Sequence, residues 1–87
     1  MEERRDVLNL RGLKCPLPAL FARRALQKAA PGSVVEVIAD DPMAAVDVPH
    51  MCHVEGYDVV SRTREGDVTR MVLRKPVDSE RAARPVK

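Results

Sequence analysis

Apolar positions along this chain follow strand-like and helix-like spacings in turn. Val7 to Leu10 is a short apolar run, read as a first strand. After a polar loop the spacing changes: Pro18, Phe21, Ala22, Ala25, Leu26 and Ala29 recur at intervals of three and four. At about 100° per residue these positions share one side of a helix. Arg23, Arg24, Gln27 and Lys28 lie opposite, and Leu17 and Leu20 fall among the basic residues. A helix is therefore predicted from Cys15-Pro16-Leu17-Pro18 to Ala29 or Ala30, ended by Pro31-Gly32. Proline is tolerated in its first turn, where N–H groups have no intrahelical partner. The β-branched run Ser33–Ala39 predicts a second strand. Asp40-Asp41-Pro42 reads as a helix start, an aspartate as N-cap and Pro42 as the first helical residue. This second helix runs to Glu55 with Gly56 as its stop, and Pro49 inside it is expected to kink or split it. Tyr57–Arg64 and Val68–Lys75 alternate as strands joined by the hairpin loop Glu65-Gly66-Asp67, and Pro76 ends the last strand.

The order is βαβαββ. It predicts an α+β fold, a two-layer α/β sandwich with a four-stranded mixed sheet and two helices on one face. Residues 1–76 are read as a single domain and residues 77–87 as a flexible C-terminal tail. Composition agrees with one domain: 87 residues, 45% hydrophobic and 32% charged, neither a disordered nor a membrane-embedded profile. Phe21 and Tyr57 are the only aromatic residues, so the core must come from Val, Leu, Ile, Ala and Met. A chain of this size buries roughly 60–65% of its unfolded surface, enough for a sandwich but not for a roomy internal pocket. Chemistry is expected near the surface.

The net charge of +2 is too mild to argue for nucleic acid, and two aromatics make no base-stacking platform. Arg4, Arg5, Arg81, Arg84 and Lys87 place some positive charge at the ends, read as solvated tails. With no apolar stretch of about 18 residues, neither a membrane span nor a secretory signal is expected, and the expected location is the cytoplasm. Two cysteines, Cys15 and Cys52, are too few for a small disulfide scaffold and are read as free thiols.

Cys15 stands at the predicted helix start, between Lys14 and Pro16. Backbone N–H groups, the helix dipole and the adjacent Lys14 are expected to lower its pKa toward thiolate. A shift of about 1.5 units, roughly 2 kcal/mol, would make it mostly thiolate near pH 7. No CxxC supplies a resolving partner, and His50 and His53 are the only histidines for a Cys-His hydrolase. A nucleophilic thiolate without a pocket suits a group carrier.

Leu10-Arg-Gly-Leu-Lys-Cys-Pro-Leu-Pro18 resembles the CPxP motif of the TusA/SirA-like sulfur carriers, including the preceding Gly12 and basic Lys14. Val37-Ile-Ala-Asp-Asp-Pro42 is similar to that family's second-strand exit, and Asp47-Val-Pro-His-Met-Cys52 to its second helix. The likeness extends over roughly residues 7 to 75. It implies that Cys15 accepts sulfane sulfur as a persulfide from a cysteine desulfurase or rhodanese-like donor and passes it to a downstream sulfur-accepting protein. The activity is then that of a sulfurtransferase working as a persulfide carrier without a cofactor. Its implied destinations are tRNA thiolation, molybdenum-cofactor biosynthesis or sulfur oxidation. Pro16 and Pro18 frame the motif, and Cys52 matches a frequent second cysteine whose role is usually not catalytic. In that light Leu17, Leu20, Arg23 and Arg24 read as a docking surface for acidic-rimmed partners.

Other readings remain open beside it. A non-catalytic interaction or regulatory module would keep the fold without sulfur transfer. A thiol redox sensor would pair Cys15 with Cys52, which requires Cα atoms within about 6 Å. His50-Met51-Cys52-His53 suggests a metal, but a structural zinc needs four ligands and Cys15 would have to be the fourth, so no metal is expected.

Overall fold

The computed structural model describes residues 5–77. The elements follow the predicted order: β1 (Arg5–Asn9), α1 (Leu17–Lys28), β2 (Val34–Ala39), α2 (Ala44–Glu55), β3 (Asp58–Glu65) and β4 (Val68–Arg74). The sheet order is β1-β2-β4-β3. β1 pairs parallel with β2, whereas β4 pairs antiparallel with both β2 and β3. β3 is consequently parallel to β2, with β4 slotted between them. Each helix is the crossover between parallel strands, and the two helices pack on one face of this mixed sheet as a two-layer α+β sandwich. Because β1 and β2 run the same way, the loops after both strands emerge at the same end of the sheet. That placement builds the site.

The core is aliphatic, as the scarcity of aromatics requires. Val35 and Val37 of β2, Met71 and Leu73 of β4, Leu26 of α1 and Val48 of α2 are all buried. β2 and β4 alternate between buried and partly exposed positions, so both bring one face to the helices. The edge strand β3 departs from expectation. Its alternating pattern predicts a covered face, yet after Asp58 every residue of it is exposed. β3 closes the sheet with a single strand neighbour, and a bulge between Val59 and Ser61 breaks the pairing register.

The helices correct three further expectations. On α1 the buried positions are Pro18, Ala22 and Leu26, an i, i+4 stripe, whereas Phe21 is 41% exposed. That stripe is centred on Ala22, which puts Phe21 about 100° away, on the rim beside Leu17. α2 begins at Ala44 with Met43 as N-cap and no side-chain cap, two residues later than predicted from Pro42. Pro49 does not split it: α2 is continuous from Ala44 to Glu55. Proline removes the N–H that would have bonded the carbonyl of Ala45, but Arg62 of β3 donates from Nη1 to that oxygen at 3.2 Å. A neighbouring strand replaces the missing helical bond. Gly56 ends α2 in the left-handed conformation at φ 85°, and its N–H reaches back to the carbonyl of Cys52. At the end of α1, Lys75 Nζ donates to the carbonyls of Gln27 (3.2 Å) and Ala29 (2.8 Å), satisfying groups the helix leaves unpaired. Pro76 is fully buried and Val77 lies beside Gly32. The rest of the predicted tail, residues 78–87, lies outside the described residues.

Candidate functional site

Cys15 sits in the loop between β1 and α1, immediately before the N-cap residue Pro16, and is exposed. The Cys15–Pro16 peptide bond is cis. Gly12 lets the loop turn with φ 88°, a conformation that disfavours any side chain. Two carboxylates from the parallel neighbouring loop then hold it in place. Gly12 N–H donates to Asp40 Oδ1 at 2.9 Å, and Cys15 N–H donates to Asp41 Oδ2 at 2.5 Å. An aspartate of the Asp40-Asp41 pair is expected to cap α2; Asp40 instead ties the two loops together. Asp41 also accepts weakly from Met43 N–H at 3.4 Å, the remnant of the predicted capping role.

A third carboxylate reaches the sulfur itself. Cys15 Sγ–H donates to Asp47 Oδ2 at 2.6 Å, from the first turn of α2. This reverses the expected electrostatics. The hydrogen bond to Asp47 raises the thiol above its ordinary pKa, with slight desolvation and the charges of Asp47 and Asp41 adding to it. The predicted lowering by Lys14 and the helix terminus does not win, because two carboxylates face the sulfur. Pro16 and Pro18 moreover bring no N–H to the turn. Cys15 is an accessible thiol whose S–H is engaged by the Asp47 carboxylate.

Cys52 is the opposite case. It lies on α2, 1% exposed, within the core, and burial followed by the charge of Asp58 pushes its pKa up to about 12. Both cysteines are free. His50 and His53 are exposed on α2 while Cys52 points inward, and among the described residues no group of three or more acidic, histidine or cysteine side chains is placed to hold a metal ion.

Beside the CPxP turn, Leu17, Leu20, Phe21, Arg23, Arg24 and Gln27 line a shallow groove of about 320 Å³ on α1. Leu17 and Leu20 are 41% and 49% exposed. Phe21 joins them, which the wheel reading missed by assigning it to the core. Arg23 is partly committed, pairing with Glu55 of α2 at 3.6 Å. Lys14 lies in the Cys15 loop, exposed. Sequence reading also missed Asp47. The available signal was an aspartate in the first turn of a helix that follows a strand parallel to the one before Cys15, since parallel pairing brings those two turns together.

The comparisons agree with this architecture. The SirA-like protein from Desulfitobacterium hafniense superposes with a TM-score of 0.70 at 22% identity, covering 82% of this chain and 97% of that one. Residues 6–75 match the family described as sulfurtransferase TusA, a span that takes in every element from the body of β1 to the end of β4, together with the Cys15 loop and all three of its aspartates. By that match the chain belongs to the TusA sulfurtransferase family.

Proposed function

We propose that the chain carries out its family's sulfur-relay role through Cys15. The thiol takes sulfane sulfur as a persulfide from a cysteine desulfurase or rhodanese-like protein and hands it to a second, sulfur-accepting protein in the cytoplasm. The observation that carries this reading is the contrast between the two thiols. Cys15 is exposed at the joint of two loops fixed by Asp40 and Asp41, while Cys52 is sealed in the core. A sulfur bound at Cys15 stands on the surface, where a large partner can reach it without entering a cavity. Gly12, Pro16 and Pro18 shape the turn, and Lys14 flanks it. The groove formed by Leu17, Leu20 and Phe21 with Arg23 and Arg24 gives a partner an apolar contact edged by positive charge, suited to an acidic-rimmed surface. Neither transfer step requires a cofactor, since the sulfur moves between cysteine sulfurs.

The transfer itself is a substitution at sulfur. The Cys15 thiolate attacks the outer sulfur of the donor's persulfide, R–S–S–H. The donor's S–S bond breaks with its electron pair staying on R–S⁻, and the products are Cys15–S–S–H and the donor thiolate, which takes up a proton. Unloading repeats the step with an acceptor thiolate as the nucleophile and Cys15 as the leaving group. Incubation with a cysteine desulfurase and cysteine should add the mass of one sulfur atom. Cys15→Ala should abolish that gain and Cys52→Ala should keep it. A wild-type protein that gains no sulfur from any of several donors would overturn the proposal.

The redox-sensor reading is disfavoured by the same contrast, because Cys52 is buried and held protonated.

A further inference from the structure

Sulfur transfer through Cys15 leaves one arrangement unexplained: the sulfur is faced by carboxylates rather than cations. Asp47, half-buried on α2, accepts the S–H bond, and Asp41 holds the backbone of the same residue from the loop after β2. Lys14, next in the chain, does not offset them, and His50 follows one turn further along α2.

Asp47 accepts the thiol hydrogen bond without being a base strong enough to take the proton. A carboxylate is a far weaker base than a thiolate, so the proton shared between the two groups rests on the sulfur that donates it. What the carboxylate does is hold the hydrogen on sulfur and repel the anion that would replace it.

We propose that Asp47 determines the specificity of Cys15. By holding the S–H bond it slows the free carrier toward small electrophiles and neutral or anionic persulfides, and it favours donors that bring a positive charge to the carboxylate as the sulfurs meet. This rests on the sulfur-carrier reading above. A guanidinium or ammonium beside the donor's persulfide pairs with Asp47, removes its hold on the proton and its repulsion of the thiolate, and so generates the nucleophile only within the encounter. The bonds made and broken are those of the transfer step already given. The thiol proton ends on the donor sulfur, and no oxidant or reductant is required.

Two measurements at low ionic strength test this on the full chain, with Cys15 modification read by peptide mass. In the first, wild type and Asp47→Asn are alkylated with iodoacetamide near pH 7. The variant should react at least about threefold faster, since each unit by which a thiol pKa falls multiplies its thiolate fraction by about ten while most of it remains protonated. In the second, each protein is offered the persulfides of two short peptides, Arg-Cys-Arg and Glu-Cys-Glu. Wild type should load from the arginine peptide at least about tenfold faster, and the ratio should fall severalfold in Asp47→Asn. An alkylation rate unchanged or lower in the variant overturns the proposal. So does the absence of a charge preference in wild type, or one that survives the substitution intact. A purely structural role for Asp47 would not raise one rate while abolishing the other preference. If Asp47→Asn fails to give a native thermal melt, Asp47→Ser takes its place. If wild type gains sulfur from neither peptide nor from a desulfurase, the sulfur-carrier reading fails, and the alkylation measurement alone decides whether Asp47 restrains the thiol.

Discussion

Pro49 sits in the middle of α2, yet the helix continues through it because Arg62 donates to the carbonyl of Ala45 at 3.2 Å. This account can be tested by a thermodynamic cycle. Arg62→Met keeps most of the aliphatic stem and removes the donor. The bond is exposed and at the long end of the usual range, so its loss should cost about 1 kcal/mol rather than the larger values of buried charged pairs. For a domain of 60–100 residues that corresponds to a fall of about 4–8 °C in Tm. In a Pro49→Ala background the restored N–H reaches the same carbonyl, so the same Arg62→Met change should cost less than half as much. The coupling energy should be about 0.5–1 kcal/mol, as expected for groups sharing one partner. Thermal and urea unfolding of the four proteins measure it. Equal losses in both backgrounds would refute the claim that Arg62 substitutes for the missing helical bond, and would reduce the contact to an incidental surface interaction.

Four further outcomes concern other parts of the molecule. Leu26→Ala should cost about 2–5 kcal/mol in urea unfolding, because Leu26 is fully buried on the core stripe of α1. Phe21→Ser, at a 41% exposed position, should leave stability within about 0.5 kcal/mol but slow sulfur loading from an enzymatic donor more than loading from a small persulfide. Cys52 should be silent to a thiol reagent until denaturant is added. Its pKa is raised on folding from 9.0 to about 12, so the folded state holds the proton more tightly than the unfolded state does. Its contribution to stability is therefore complete below pH 9 and lost as pH climbs toward 12. Cys52→Ala should flatten that part of the alkaline stability profile, and an identical profile for the variant would contradict the assignment.

Much of the fold was legible because its signals are local. The i, i+4 spacing of Pro18, Ala22 and Leu26, the β-branched run of β2 and the stop at Gly56 each act within a few residues. What escaped depends on which elements become neighbours. Asp47 meets the Cys15 sulfur across 32 positions of sequence, and only parallel pairing of β1 with β2 brings their loops together. The cysteine was thus found, but its electrostatic setting was inverted: a helix start and a lysine are visible in the sequence, whereas the approach of Asp41 from the next loop and of Asp47 from the first turn of α2 is not. Pro49 misled for the same reason, since its compensating donor lies on a different strand. Phe21 misled because a hydrophobic wheel registers apolar character and not which arc the sheet covers.

The sheet topology also decides which pole of the molecule is clear of the chain's entry to and exit from the sheet. β4 runs antiparallel to β2, so Arg74 lies opposite Val34, and β1 starts at that same edge with Arg5 beside Val34. The chain therefore enters and leaves the sheet at the pole away from Cys15. A partner that closes over the Cys15 pole meets neither the start of β1 nor the end of β4.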